Sequence, residues 1–402
     1  MTNSKNHFDV VIIGGGGAGI LAAISAAREN ARVLILEKMP KLGKKVLISG
    51  NGRCNITNDR LDAACYNPEA KIIVESIFSR FGRLDILKFF KELGLRVVSD
   101  KEGRVFPITN QSTSVMDLLE LELSRLGVEI RCHSEVTGIK KISNGFTIDS
   151  KSDSVSAGHP ILCAGGKAYP ISGTDGSAYA LAMSFGHTLI DPVPSTVPLL
   201  VDDPWCKHLT GQKITAAVRY EIDDEAGPAV KGDLLFTDYG LSGTAILDSS
   251  EELSIAIHRL HSKKTFVVVD LLPFVSEDEL KKEIASRLRR KYPSNKLLAG
   301  LLPQKFAFVL ADILKTGNPG AIAAFIKKKR FAVSGAKGWN EAEFTAGGIN
   351  LHEVNFKTLE SKKCPGLYLA GEILDVNGKR GGFNLAWAWA SGFVAGLEAA
   401  KH

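Results

Sequence analysis

The chain has 402 residues, of which 45% are hydrophobic and 23% are charged, and its formal net charge is +6. This balance is ordinary for a soluble globular protein, and the length suits two domains. The mildly basic charge is compatible with a dinucleotide, an acidic substrate or a transient electrostatic partner, and it selects none of them.

The cysteine pattern argues against two kinds of site. Six cysteines are scattered along the chain without a CxxC pair, and histidines at metal-ligand spacing are missing. Neither a zinc site nor a dithiol redox pair is therefore indicated. Scattered cysteines in a chain with a full core are typically small buried hydrophobes in a reducing compartment. We expect no metal and a cytoplasmic location.

The segment 10–27 is almost free of charge and could be read as a signal peptide or a short membrane span. The glycines from Gly14 to Gly17 would then lie within a helix, where each is unfavourable, and few basic residues precede them. A buried strand followed by a helix fits the segment better, so no membrane partner is expected.

The first elements predict a βαβ unit. Phe8–Ile13 is a short run rich in valine and isoleucine, which is typical of a buried parallel strand. Small and apolar residues recur with helical spacing over 18–28, and 32–36 is a second buried strand. The next stretch predicts three helices and then a small β-meander. These elements cover 69–94 (two helices), 116–126, 128–133, 135–142, 146–150 and a strand ending at Cys163.

The texture changes after Asp191, where prolines crowd a short interval and polar hairpin-like strands follow over 214–236. Ser276 and Glu279 form a capping box that opens a helix to about Tyr292. Near Glu343 the chain returns to the glycine-rich turns and apolar segments of its first part. The remaining predicted elements are an apolar helical stretch over 305–314, a buried strand over 366–369 and a long small-residue helix over 383–399. We predict a nucleotide domain, 1–193 with 344–402, split by a mixed insert at 194–343.

Gly14, Gly16 and Gly19 satisfy the pattern GxGxxG, which is weak alone but here follows a strand and opens a helix. The first glycine permits the tight turn, the second lets a pyrophosphate approach, and the third lets the helix pack closely on the strand. Glu37 ends the second strand, where a carboxylate can accept hydrogen bonds from ribose hydroxyls, although it could also be an ordinary surface glutamate. A GxGxxG turn followed by an acidic residue binds NAD as well as FAD, so this pattern does not distinguish the two cofactors.

Four distant motifs resemble the YhiN/BaiN-like FAD-binding flavoproteins, a branch of the wider group that contains fumarate reductase flavoproteins. They are EKMPKLGKKVLISGNGRCNITN (37–58), LCAGGKAYPISGTDGSAYALAMSFGH (162–187), FTAGGI (344–349) and GLYLAGEILDVNGKRGGFNLAWAWASG (366–392). The second motif departs from the family's usual ATGG at Cys163 and Ala164. The resemblance implies an α/β fold, with a Rossmann-like FAD-binding domain of the glutathione-reductase type split by an inserted mixed α+β domain with barrel-like strands and helices.

The resemblance also implies where FAD lies. Glu37 would bind the ribose, the backbone of Val136 would lie near the adenine, and Gly371 with Glu372 would lie near the pyrophosphate and ribityl chain. Other residues of these motifs are expected to contact the cofactor. They are Gly14, Gly16, Gly17, Ala18, Gly19, Lys38, Lys44, Ser49, Gly50, Asn51, Gly52, Arg53, Cys54, Asn55, Ala164, Gly165, Gly166, Gly382, Phe383 and Asn384.

Two turns suit a flavin on physical grounds. Amides of Gly382, Phe383 and Asn384 at a helix N-terminus can stabilise charge on a reduced flavin, although packing alone could also explain this turn. The glycine-rich turn 49–55 lets backbone lie against a flat ring, and its arginine, Arg53, could bind an anionic substrate or be a simple loop residue. Cys54 has no nearby partner for disulfide chemistry and is more simply a structural thiol.

Candidates for catalysis are Arg53, Tyr169, Lys379 and Arg380, of which Tyr169 could donate a proton. Solvated or packing roles are the alternatives for each. A second phosphate-binding pattern is absent, so any NAD(P)H must bind transiently or electrons must come from another donor. We expect a reductase that passes hydride between flavin and a small organic substrate.

The sequence leaves two other functions open, and it does not specify the oligomeric state. One is a fumarate-reductase-like enzyme, although the His and Arg residues expected for dicarboxylates cannot be matched. The other is a flavin-carrying protein associated with RNA, for which the run Lys327–Arg330 would be the footprint. Such runs are usually a solvated face or a helix C-terminal turn, so a nucleic-acid partner is not the main expectation.

Overall fold

The computed structural model describes residues 6–401; the first five residues of the predicted segment 1–193 and the last of 344–402 lie outside it. Its central feature is the predicted βαβ unit: β1 (His7–Ile13), α1 (Gly17–Arg28) and β2 (Val33–Leu36). The two strands are parallel, and Ile13 lies opposite Leu36 at their carboxyl ends. Because every residue of β2 and most of α1 are buried, this apolar segment is a core strand and helix.

Before residue 193 the predicted helices precede the β-meander, and three short strands that the sequence did not predict lie among the helices and form a small sheet of their own. The elements that follow β2 in this part are α2 (Lys44–Gly52), β3 (Thr57–Asn58), α3 (Lys71–Phe78), α4 (Arg83–Glu92), β4 (Val97–Ser99), β5 (Arg104–Pro107), α5 (Ser112–Arg125), β6 (Glu129–Arg131), β7 (Val136–Ile142), β8 (Gly145–Ser150), β9 (Ser154–Leu162), α6 (Ser177–Met183) and β10 (Leu189–Ser195).

The meander is antiparallel, but it is not a separate sheet. Its last strand, β9, lies parallel to β1, so the meander extends one edge of the nucleotide-binding sheet in the order β6-β2-β1-β9-β8-β7. The carboxyl ends of β1, β2 and β9 therefore lie together at one edge, which is where ligands bind in sheets of this kind.

The next segment forms eight strands and seven helices. They are β11 (Leu199–Leu200), α7 (Pro204–His208), β12 (Lys213–Ile222), β13 (Glu225–Ala226), β14 (Val230–Thr237), β15 (Gly240–Ser242), α8 (Thr244–Leu247), α9 (Ser250–His258), β16 (Thr265–Asp270), α10 (Glu277–Arg289), α11 (Phe306–Val309), α12 (Ala311–Lys315), α13 (Pro319–Lys327), β17 (Lys329–Ala332) and β18 (Gly335–Ala336). The capping box of Ser276 and Glu279 is present, whereas the apolar stretch 305–314 is two short helices rather than one.

The strands of this segment form one antiparallel sheet in the order β17-β16-β12-β14-β15-β11-β18, with β13 paired to β12. Its two edges are joined by consecutive residues, because Val333 N donates to Thr265 O beside β16 while Ser334 N donates to Leu200 O in β11. The two edge strands, β17 and β18, are therefore separated by only two residues of the chain.

The last elements are β19 (Phe344–Ile349), β20 (Tyr368–Leu369) and α14 (Phe383–Ala399). β20 joins β9 in the first sheet, and β19 pairs with β10. α14 packs along α1 at very short range: a Cβ on Gly392 would lie 2.1 Å from Ala18 O, and one on Gly396 would lie 2.1 Å from Ala22 O. The small residues of α14 are thus required by this helix contact.

Backbone contacts divide the chain into two compact units, one ending at Pro192 and resuming at Phe344, the other covering Val193–Glu343. Each has its own buried apolar cluster. Among residues 6–401, no helix is long and apolar enough to cross a bilayer.

Candidate functional site

The turn between β1 and α1 has the shape of a phosphate-binding loop. Gly14 has a φ of +103°, and Cβ atoms at Gly14 or Gly19 would collide with backbone at 2.7 and 1.9 Å. Gly16 differs, because its φ is −79° and a Cβ there would meet no atom within 4 Å. The space beside Gly16 is therefore open, at the N-terminus of a helix, where backbone amides attract a pyrophosphate.

The carboxylate of Glu37 faces this turn. Its Oε2 accepts from Gly15 N at 2.6 Å and its Oε1 accepts from Met39 N at 2.7 Å. Each carboxylate oxygen has a second lone pair, so both can still accept a ribose hydroxyl. Val136 begins β7 close to the same place, since Ser134 N donates to Glu37 O. The structure thus brings together the two residues assigned to the adenosine end.

An ion pair lies beside this end. Lys38 Nζ contacts Asp175 Oδ1 at 2.8 Å, which ties the end of β2 to the loop before α6. Although burial alone would raise it, hydrogen bonds from Lys38 and Ser177 lower the pKa of Asp175 to about 2. A Cβ on Gly173 of the same loop would lie 2.7 Å from Met39 Cγ, so the loop packs tightly here. Lys38, which was predicted to contact the cofactor, therefore anchors the loop before α6 through its ion pair with Asp175.

The LCAGG turn lies next to the phosphate loop, because a Cβ on Gly14 would be 2.7 Å from Ala164 Cα. A Cβ on Gly166 would lie 2.5 Å from Thr345 Oγ1. Thr345 Oγ1 in turn accepts from the amides of Lys167 and Ala168. The departures from ATGG therefore leave a compact turn, fastened to the FTAGGI strand.

Glu372 is held at the centre of this region. Its Oε2 accepts from Lys45 Nζ at 2.6 Å, and its Oε1 accepts from Thr345 N at 3.0 Å. Lys44, predicted to contact the cofactor, is the first residue of α2, and it is its neighbour Lys45 that reaches Glu372. Burial together with Glu372 and Asp375 raises the pKa of Tyr179, whose hydroxyl has no protein partner among the described residues.

The turn 49–55 is irregular, as its glycines predict. α2 is interrupted there, because Ser49 is extended while Gly50 and Asn51 are left-handed. The guanidinium of Arg53 lies 4.1 Å from the Phe106 ring centre, and its Nε donates to Gly50 O. The Cys54 thiol is fully buried, and burial raises its pKa to about 12, which opposes thiolate chemistry.

The start of α14 faces the same turn. Gly382, with a φ of +99°, precedes the helix, and a Cβ there would lie 2.5 Å from Thr57 O and 2.7 Å from Asn55 Oδ1. Asn55 Oδ1 and Thr57 Oγ1 are buried and lack a protein partner among the described residues. The first amides of α14 have no side-chain cap. Unpaired polar atoms and helix amides therefore lie together, beside a turn rich in glycine.

The remaining residues predicted for the cofactor site or for catalysis differ in their burial and contacts. The Asn384 side chain is engaged with the backbone of Gly378, through both its oxygen and its nitrogen, and therefore shapes the turn. Tyr169 is half-buried and left-handed, with a φ of 61°. Lys379 is exposed and Arg380 is half-buried.

The residues present fit FAD. The open cradle at Gly16 and the carboxylate of Glu37 suit the adenosine diphosphate half, while the orphaned oxygens of Asn55 and Thr57 and the α14 amides suit a polar ring edge. Gly371 lies against the helix that follows the phosphate loop, since a Cβ on it would lie 2.9 Å from Ala18 Cβ.

Fold and site define an FAD-dependent oxidoreductase. The chain belongs to the HI0933-like family, and residues 8–398 match the HI0933-like protein Rossmann domain. This confirms the resemblance drawn from the four motifs.

Two relatives match almost the whole chain. The 3-dehydro-bile acid delta(4,6)-reductase of Clostridium scindens is 36% identical over 97% of this chain and 98% of its own. The ribosomal RNA dihydrouridine synthase of Escherichia coli is 30% identical over 98% of each chain. In fold, the chain resembles 3-ketosteroid-delta4-(5alpha)-dehydrogenase from Rhodococcus jostii RHA1, with a TM-score of 0.53, 16% identity, and coverage of 100% of this chain and 98% of that one.

Sequence reasoning missed several residues of this site. Lys45 and Thr345 carry no signal beyond their place in a motif, and their link to Glu372 is made by the fold. Trp389 was also missed: its Nε1 donates to Ile56 O, and its ring lies 2.8 Å from where a Cβ on Gly17 would be. A tryptophan facing the phosphate helix explains why a fourth consecutive glycine stands at Gly17.

The run Lys327–Arg330 is not the solvated face that such runs usually form. Lys327 does end α13, but it pairs with Asp270 at 2.6 Å. Lys329 and Arg330 belong to β17 and pair with Asp203 and Glu221 at 2.9 and 2.8 Å. With three of four charges neutralised, this run is a poor footprint for RNA.

Proposed function

We propose that this protein saturates a carbon–carbon double bond conjugated to a carbonyl group, with hydride from transiently bound NAD(P)H. The names of the two full-length relatives support this chemistry. A 3-dehydro-bile acid with unsaturation at positions 4 and 6 is a conjugated ketone, and dihydrouridine is uridine saturated at a bond conjugated to a carbonyl. One flavin site can serve both.

The observation that carries the proposal is the uncapped N-terminus of α14 beside the turn 49–55. Bound FAD would supply the two-electron step. Positive potential from the helix amides would stabilise negative charge on a reduced flavin, which would favour hydride transfer from NAD(P)H to the flavin. Gly16, Glu37 and Glu372 would hold the rest of the cofactor, as proposed from the sequence.

The overall reaction balances as one hydride and one proton. NAD(P)H is oxidised, the β-carbon of the substrate gains hydride, the double bond breaks, and the α-carbon gains a proton. We assign the proton to the Tyr169 hydroxyl and the substrate's oxygen or anionic group to Arg53, Lys379 or Arg380. A small organic enone is the primary substrate class. A uracil base in RNA is a second candidate, favoured by the likeness to the dihydrouridine synthase.

The test uses purified protein with its bound FAD under anaerobic conditions. NADPH or NADH should bleach the flavin, and a 4,6-dien-3-one or cyclohexenone should restore its colour faster than fumarate or menadione does. Tyr169→Phe should retain FAD and bleach normally but reoxidise at least about tenfold more slowly. Tyr220→Phe, a half-buried tyrosine of the other unit, is the matched control. Reoxidation by quinone or fumarate alone would overturn the proposal.

A further inference from the structure

Charge is strongly segregated within residues 193–343. From 193 to 280 there are fifteen Asp and Glu against seven Lys and Arg, whereas 281–330 contains thirteen Lys and Arg and two acidic residues, Glu283 and Asp312. Three of the thirteen, Lys327, Lys329 and Arg330, pair with carboxylates of the first part. Such separation gives one part of a surface a positive potential that attracts polyanions. The second half is therefore the place to look for an acidic partner.

The positive charge is concentrated at the C-terminal end of α10. Arg289, Arg290, Lys291, Lys296 and Lys305, here called the basic end, are all exposed. Among the described residues, the ion pairs of this half involve other cations, such as Arg287 with Glu283 at 2.6 Å. No carboxylate of the described chain neutralises the basic end.

Hydrogen bonds and packing hold together the segments that carry the basic end. Arg287 Nη1 donates to Leu297 O at 2.9 Å and to Ala299 O at 2.7 Å, which fixes the segment after Lys296 to the last turn of α10. α11, which follows Lys305, packs against the turn Ser294–Lys296. These contacts bring the two later lysines to the same end of the helix.

A helix dipole explains only part of this arrangement. Cations in the last turn of a helix are stabilised by its C-terminal carbonyls, which accounts for Arg287 and Arg289. Lys291, Lys296 and Lys305 lie beyond the helix and gain little from it. Mutual repulsion of these exposed charges would be relieved by an anionic partner.

Aromatic rings accompany the cations. The Arg290 guanidinium lies 5.2 Å from the Tyr292 ring centre, and the side chain of Phe308 in α11 is 68% exposed. Basic grooves combined with aromatic rings bind single-stranded RNA, because phosphates meet the cations while bases stack on the rings. A purely electrostatic surface needs no such exposed ring.

We propose that the basic end is a docking surface for RNA, placed on α10 and the following turn instead of the neutralised run Lys327–Arg330. This proposal rests on the second form of the proposed function, in which the reduced double bond belongs to a base of an RNA. The surface supplies affinity and orientation, and the reaction takes place elsewhere in the chain.

The test is fluorescence anisotropy of a labelled, uridine-rich RNA hairpin with the FAD-loaded protein, over a series of salt concentrations. The triple variant Arg289→Glu, Arg290→Glu, Lys291→Glu should bind at least about tenfold more weakly, and the slope of log affinity against log salt should fall by about 2. If that variant lacks a cooperative melt, the corresponding triple Gln variant replaces it.

The matched control reverses three exposed lysines of the other unit, Lys71, Lys91 and Lys101. The proposal is overturned if this control loses as much RNA affinity as the α10 variant, or if the α10 variant binds RNA unchanged. In either case the position of the reversed charges would not matter. Binding to anionic phospholipid vesicles but not to RNA also overturns it, since the partner would be a membrane surface.

The outcome can be separated from that of the proposed function. Both triple variants should reduce cyclohexenone with NADPH at the unchanged rate, because the basic end lies outside the residues assigned to the flavin. Enone reduction without RNA binding refutes only the docking surface. RNA binding without flavin reduction refutes only the proposed chemistry.

Discussion

The two halves of the proposed FAD site are built in opposite ways. The adenosine half comes from neighbouring segments, the turn Gly14–Gly19 and the residue Glu37, joined by one strand register. The flavin half brings together Asn55, Thr57 and Gly382, more than 300 residues apart in sequence. The comparison teaches that a local motif can be recognised from neighbouring segments of sequence, although it does not distinguish NAD from FAD, whereas a non-local site depends on the element that assembles it, here α14.

The largest expected effect comes from a substitution in the phosphate loop, which belongs to the adenosine half. Gly16→Val keeps an allowed backbone, since φ is −79°, but fills the open cradle. FAD binding should weaken by at least about a hundredfold while the protein stays folded, because pyrophosphate needs direct approach to these amides. Flavin absorbance per mole of protein measures this. The exposed Gly338→Val is the control, and full retention of FAD by Gly16→Val would show that the phosphate loop is misassigned.

The second substitution disturbs the packing of α14 on α1, which brings the residues of the flavin half together. Gly392→Ala places a Cβ 2.1 Å from Ala18 O and forces α14 away from α1. We expect a loss of about 1–3 kcal/mol in unfolding free energy, as for overpacked cores, together with weaker FAD binding. Denaturant titration with and without added FAD measures both. Gly320→Ala in α13, whose nearest neighbour would be 3.5 Å away, should be harmless. A normal Gly392→Ala protein would mean that the helix contact is not needed.

A smaller effect concerns the ion pair beside the adenosine half. Lys38→Met or Asp175→Asn should release FAD roughly two- to fivefold faster, because a partly exposed pair contributes at most about 1 kcal/mol. Release is measured by the rise of flavin fluorescence after dilution. The double exchange Lys38→Asp, Asp175→Lys should restore slow release. Equal rates in every variant would show that this loop does not retain the cofactor.

The smallest effect is a pH dependence outside both halves. His187 Nε2 lies 2.7 Å from Ser361 Oγ, and the side chain is fully buried. Burial lowers the pKa of His187, while Glu353 opposes the change. The unfolded state then binds the proton more readily, so stability should fall as pH drops below about 6.5. Thermal melts from pH 8 to 5 should show a shallower dependence in His187→Gln than in the exposed His133→Gln. Parallel curves would contradict this role.

These contrasts show what the sequence could predict. β1, α1 and β2 follow from apolar runs and glycine spacing, and α14 was placed at its observed bounds because its pattern is long and regular. The links of Lys45 to Glu372 and of Trp389 to Ile56 could not be read, because they join residues more than 300 positions apart. The ion pairs of the run Lys327–Arg330 could not be read either, because Asp203 and Glu221 lie more than 100 positions before it and are brought to it by the fold.

The insertion has neighbouring ends. Glu343 N lies 3.4 Å from Thr196 O, so the segment leaves and re-enters almost at one point. A host fold need not stretch to accept such a segment, and loops closed in this way tolerate large changes in length. The inserted part can therefore change in length without separating β10 from β19, the paired strands on either side of it.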